Sequence, residues 1–92
     1  MLFQIMLDGH QLNFTLTTLI NIDNDKIFFF VQIMGGGSIL LEKRNPRGKW
    51  FILKGALSDE RLKQSICDKL DNTSFATLYQ NVLPMDEFKF EF

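Results

Sequence analysis

The dipeptide Asp8-Gly9 stands between two runs in which apolar and polar residues alternate, and it constrains the fold more than any other feature of the chain. A two-residue hairpin of type I′ needs positive φ at both central positions, which Asp and Gly tolerate well. Closing the chain there pairs Leu7 with His10, Ile5 with Leu12 and Phe3 with Phe14. Because side chains on a strand alternate between faces, Phe3, Ile5, Leu7, Leu12 and Phe14 share one side of the resulting sheet.

Three further turn signals extend the same pattern. Alternation runs on from Leu12 to Ile22, which is long for one strand and predicts a bend near Thr17. Asp23-Asn24-Asp25-Lys26 supplies the next reversal; with Asp23 opposite Lys26, Ile22 faces Ile27, Ile20 faces Phe29 and Leu16 faces Ile33. Gly35-Gly36-Gly37 reads as a hairpin loop that sets Met34 opposite Ser38 and Val31 opposite Leu41. Asn45-Pro46-Arg47-Gly48 has the residue order of a type I turn, pairing Arg44 with Lys49 and Leu41 with Ile52. Every one of these turns keeps the same face apolar. Such agreement between local and global signals marks a sequence that specifies one structure.

Beyond Lys54-Gly55 the period changes. Ser58-Asp59-Glu60 has the character of a helix start, with a capping side chain followed by acids where the helix dipole favours them. The helix is expected to run to about Asp71, with a narrow stripe of Leu62, Ile66 and Leu70 and with Cys67 beside it. Thr73 or Ser74 can cap a second helix whose Phe75, Leu78, Tyr79, Val82 and Leu83 recur at helical spacing until Pro84 stops it. The run Glu87-Phe88-Lys89-Phe90-Glu91-Phe92 alternates strictly and predicts a final strand at a sheet edge. The whole is read as one α+β domain over residues 1–92: an antiparallel β-meander of about five strands, two helices packed mainly on one face, and a C-terminal edge strand.

Composition agrees with a folded chain, since 46% hydrophobic and 23% charged residues are ordinary for a globular domain. The ten Phe are its main source of buried area. A net charge of −1 supplies no general field for nucleic acid, which is therefore not an expected partner. The single Cys67 excludes an internal disulfide, reads as a buried small hydrophobe and offers no thiolate cluster for a metal. Met1-Leu2-Phe3-Gln4-Ile5 lacks the features of a signal peptide, and no apolar run approaches bilayer length, so a cytoplasmic protein without a membrane partner is expected. On that reading the glycosylation triplets at Asn13 and Asn72 are coincidental.

Candidate chemistry is sparse. His10 has Asp8 two residues away but no activated nucleophile in prospect. The Asp23-Asn24-Asp25 oxygens lack the glycine and bidentate glutamate that complete a calcium loop. Gly35-Gly36-Gly37-Ser38 has no following Lys and leads into a strand, so it is not a phosphate-binding loop. Neither a cofactor nor a metal is implied, and no catalytic motif is present. Lys43, Arg44, Arg47 and Lys49 gather at a hairpin tip beside Trp50 and form the one candidate anion contact.

The outer face of the sheet carries the strongest functional expectation. Leu19, Phe28, Phe30, Leu40, Phe51 and Leu53 fall there, with Leu19 set beside Phe30 and Leu40 beside Leu53. Two helices, each about 10 Å across, cover only one side of a sheet whose strands lie about 4.8 Å apart. An apolar outer face then needs a companion, and the reading is a non-catalytic interaction module that self-associates as a homodimer or binds a protein partner through those six residues. The alternative is a carrier or sensor of a small apolar ligand, held in a pocket between sheet and helices.

Overall fold

Antiparallel pairing of sequence neighbours carries the chain across the sheet in the order β1-β2-β3-β4-β5. The strands are β1 (Leu2–Leu7), β2 (His10–Asn21), β3 (Lys26–Ile33), β4 (Ser38–Lys43) and β5 (Trp50–Lys54). They are followed by α1 (Glu60–Asp71), α2 (Phe75–Leu78), β6 (Val82–Pro84) and a 3₁₀ turn at Met85–Glu87. The structure is a computed structural model and describes residues 1–43, 49–55, 57, 59–90 and 92. It is an α+β fold: a five-strand meander, one full helix, one short helix and a C-terminal strand.

Asp8 and Gly9 both take positive φ, 51° and 79°, and the first hairpin has the expected register from Leu7 opposite His10 to Phe3 opposite Phe14. The second and third hairpins are each displaced by two residues. Asn21, rather than Asp23, stands opposite Lys26, so that Ile20 faces Ile27 and Leu16 faces Val31. The side chains explain the longer loop: Asn21 Oδ1 accepts from the Asp23 N–H and Asn24 Oδ1 from the Lys26 N–H, at 3.1 and 3.0 Å. Successive Asx turns replace the last ladder rung. At the glycine loop, the Ile33 N–H bonds to Gly37 C=O and the Gly36 N–H to Ile33 C=O, both at 3.0 Å. Ile33, the last residue of β3, thus closes the loop instead of pairing with Ile39, and Val31 faces Ile39. A slip of two residues leaves every side chain on its own face, which is why the face assignment survives.

The fourth hairpin keeps Lys43 opposite Trp50 and Leu41 opposite Ile52, with its turn at 44–48 outside the described residues. An irregularity between Leu40 and Leu41 then sets Leu40 opposite Lys54 instead of Leu53. Gly55 follows with φ +84°, and a Cβ there would run into the Ser38 backbone. Only glycine suits both the conformation and the approach.

Near Thr17, where a bend is expected, β2 runs on as one strand and changes partner. β1 reaches only as far as Leu2 opposite Thr15, and β6 then pairs parallel to β2 from Thr18 opposite Val82 to Ile20 opposite Pro84. The second helix is correspondingly short. Ser74 caps it as expected, but it ends at Leu78. Continuing it would direct the Val82 N–H to Leu78 C=O; that carbonyl instead accepts a buried 2.6 Å bond from Thr18 Oγ1. Pro84 also biases Leu83 toward extended backbone, so 82–84 joins the sheet. The C-terminal strand is therefore Val82–Pro84 and not the Phe run, whose described residues lie outside any strand.

The inner face carries the main core, in which Phe14, Val31, Ile39 and Leu41 meet Ile66, Cys67 and Leu70 of α1. Asp59 caps this helix through the Arg61 N–H, and that bond holds its carboxyl below the ordinary carboxylate range. Arg61 also grips Asp8 at 3.0 and 2.8 Å, yet both side chains are more than half exposed, so solvent screens the pair and it adds little to stability. Burial of Ile66 and Leu70 is what holds α1 on the sheet, at about 1.5–3 kcal/mol per side chain.

Replacing Thr18 by Val should cost about 1–3 kcal/mol in urea unfolding, because Leu78 C=O loses its buried donor; Thr18→Ser, which keeps the hydroxyl, should lose less. Gly55→Ala should destabilise by more than about 1 kcal/mol through backbone strain and collision with Ser38. A neutral Gly55→Ala variant would contradict the close approach of these two segments.

Candidate functional site

The six outer-face residues separate into two groups. Leu19, Phe28, Phe30 and Leu40 are buried, with Leu19 at 0% and Phe30 at 1% exposure, whereas Phe51 and Leu53 remain 37% and 42% exposed. The cover comes from the C-terminal segment, whose Met85, Phe88 and Phe90 pack onto the four as a second core. The run 88–92 thus keeps its Phe side inward, but it lies across the sheet face rather than along an edge. The imbalance of areas that called for a companion is met largely by the chain itself.

The inner side is where space remains. A cavity of about 700 Å³ opens where α1 ends and α2 has run only four residues. Ile27 and Phe29 of β3 line it beside Trp50 of β5, Leu70 and Asp71 of α1, and Phe75, Leu78 and Tyr79 around α2. Phe29 is the buried centre of its aromatic wall. The Trp50 ring meets it edge-on at 5.3 Å and 66°, and the Tyr79 ring at 6.1 Å and 75°. Phe75 continues the wall from Tyr79 at 5.8 Å and is itself 72% exposed.

Polar chemistry in this cavity converges on Asp71. Its Oδ1 accepts from Lys43 Nζ at 2.6 Å and from Trp50 Nε1 at 3.1 Å, and the ammonium lies 5.3 Å from the centre of the Trp50 ring. A carboxylate in the last turn of a helix opposes the helix dipole. Here the Lys43 charge and the indole N–H offset that cost. The cluster fixes the Trp50 ring at one wall and ties β4 and β5 to the end of α1. Asp25 and Lys26 add an adjacent pair of opposite charges to the lining.

Of the candidate anion contacts, Lys43 is turned to Asp71, Lys49 is exposed, and Arg44 and Arg47 lie outside the described residues. His10 is exposed beside its turn, and Asp8 is engaged by Arg61. The Asp23-Asn24-Asp25 segment spends its Asn24 oxygen on the turn itself, and among the described residues no group of three or more potential ligands gathers to hold a metal. No helix among them is long and apolar enough to cross a membrane.

Sequence reasoning missed Asp71, Phe75 and Tyr79 as members of one site. The available signal was Asp71 itself, an acid placed at the helix end where its charge is least favourable. No protein-family model, no curated protein and no solved structure matches the chain.

Cys67 is 4% exposed, and burial pushes its thiol up to about 11. The neutral thiol is therefore the form present at physiological pH. At pH 8 a disulfide-exchange reagent should label Cys67 only at the rate of unfolding, whereas rapid labelling of the native protein would show that α1 does not seal the core.

Proposed function

We propose that this protein is a non-catalytic small-molecule binding domain, a carrier or sensor that takes a planar, mainly apolar ligand into the inner cavity. The observation that carries this reading is a half-open cavity of about 700 Å³ lined by the Phe29, Trp50 and Tyr79 rings beside one polar cluster at Asp71. Ligand sites are commonly concave, aromatic-lined and supplied with a few placed polar groups, in the range of about 300–1,000 Å³. Edge-on rings leave faces against which a flat ligand can stack. The Asp71 carboxylate, held by two donors, offers a fixed polar point that orients such a ligand.

Self-association through the outer face is the weaker reading, because four of the six residues proposed for it, Leu19, Phe28, Phe30 and Leu40, are covered by the chain, while Phe51 and Leu53 are 37% and 42% exposed. A cytoplasmic location belongs to the same proposal.

Trp50 is the only tryptophan, so its fluorescence reports on the cavity directly. Titration with a panel of planar aromatic compounds should find members that quench Trp50 and raise Tm. A ligand at 100 times its Kd stabilises by about 2.7 kcal/mol. Tyr79→Ala should weaken such binding about tenfold, or about 1.4 kcal/mol. Quenching that survives Tyr79→Ala unchanged, or a panel without any effect on Tm, would contradict the assignment.

A further inference from the structure

The first edge of the sheet carries a pattern of its own, independent of the cavity. Met1 and Leu16 exchange both backbone bonds, the Leu16 N–H donating to Met1 C=O at 2.8 Å and the Met1 amino group to Leu16 C=O at 3.3 Å. In an antiparallel ladder such bonded pairs alternate with unbonded ones. The regular register from Leu2 opposite Thr15 to Leu7 opposite His10 therefore turns the backbone of Phe3, Ile5 and Leu7 toward β2. The N–H and C=O groups of Leu2, Gln4 and Met6 point the other way, to the open side of β1, where no described residue bonds to them.

Sheet edges are commonly blunted by charge, proline or a bulge, because their unpaired backbone groups are a template for another strand. At the opposite edge β5 follows the irregularity at Leu40 and ends in Lys54. Beyond β1, the edge of β2 is taken by β6 from Thr18 to Ile20. β1 has none of these devices: Leu2–Leu7 holds no charge and no proline, and its register is unbroken. Its outer-face side chains are uncovered too. Leu2 is 58% and Met6 64% exposed, with Gln4 exposed between them, because the C-terminal rings pack on Leu19, Phe28, Phe30 and Leu40 instead.

We propose that β1 is a homodimer interface, at which a second copy of this chain adds its own β1 antiparallel across a two-fold axis through Gln4. The strand is self-complementary about that residue. Leu2 falls opposite Met6 of the second copy, Phe3 opposite its Ile5 and Gln4 opposite its Gln4, so apolar meets apolar on both faces. The outward-turned residues Leu2, Gln4 and Met6 are the ones that form bonded pairs in this register, and the two Gln4 amides can each donate to and accept from the other. An identical strand also brings no charge to an edge that has none to answer it. The helices leave room for it. Arg61 beside Asp8 and Asp71 beside Lys43 place the start of α1 at the Leu7 end of β1 and carry the rest away from this edge. The axis sets the two Leu7 ends roughly 20 Å apart, at about 3.4 Å per residue, so the helix starts do not meet. No residue of β1 lines the cavity, which stays open in the pair.

Sedimentation of the full-length chain over a rising concentration series tests this. One strand pair is a small interface, so a monomer–dimer equilibrium in the micromolar to millimolar range is expected. Gln4→Pro removes the N–H groups of the central pair but no bond to β2. It should stay monomeric throughout the series, with far-ultraviolet circular dichroism and Trp50 emission unchanged. Gln4→Lys and Gln4→Glu each set like charges across the axis and should each weaken association about fivefold or more. An equimolar mixture of those two should associate at least as well as the unsubstituted chain. Should Gln4→Pro fail to fold, the charge pair carries the test. An unsubstituted chain that is monomeric at every concentration would overturn the proposal. Association that Gln4→Lys leaves unchanged, or a mixture that recovers nothing, would overturn it equally, since either places the contact away from Gln4.

Discussion

A sheet that is apolar on both faces must be covered on both, and the rest of this structure follows from that constraint. Leu19, Phe28, Phe30 and Leu40 on one side and Phe14, Val31, Ile39 and Leu41 on the other are all buried. Leaving one such side chain wet forfeits about 1.5–3 kcal/mol. Four of them approach the whole stability of a small domain, about 5–15 kcal/mol. Among the described residues, both α-helices pack on the inner face and neither reaches the outer one. The chain covers the inner face with α1 and α2 and the outer face with Phe88, Phe90 and Met85.

The two covers are of different kinds, and the difference gives each face its chemistry. α1 seats Ile66 and Leu70 completely and closes its part of the core. α2 ends after one turn, where Thr18 takes the Leu78 carbonyl, and the chain leaves the inner face for the edge of β2. The cavity lies at that place, between the end of α1 and the exposed rings of Phe75 and Tyr79. On the outer face the cover is a single extended run attached through its rings. One face thus keeps an open cavity and the other is covered by aromatic side chains of the last segment.

Much of this architecture was legible in the turns. Asp8-Gly9 specified its register outright, because a two-residue loop leaves no freedom in pairing. The Asp23 and Gly35 loops each allowed alternatives differing by two residues, and the choice between them was made by Asn21 and Asn24 side-chain bonds and by Ile33 bonding to Gly37. Parity does not distinguish such alternatives, so the faces were readable where the exact partners were not. The irregularity at Leu40 left no local mark beyond Gly55. Helical spacing in 75–83 was real as a pattern, but a single tertiary hydrogen bond and Pro84 outweighed it. Alternation in 88–92 showed that one side of the run is buried; edge strands and face-covering straps share that pattern, so it could not say against what. The cavity is assembled from residues 27, 29, 50, 71, 75 and 79, and no spacing rule connects them.

The account depends most on the strap being seated on Phe30. Proton NMR of the native protein tests this directly, through nuclear Overhauser contacts between the ring protons of Phe30 and those of Phe88, Phe90 and Phe92. With ring centroids 5.3–5.4 Å apart, strong contacts and ring-current shifts are predicted for all three. Random-coil shifts for residues 88–92, with no contact to Phe30, would contradict it and return the outer face to solvent or to a partner.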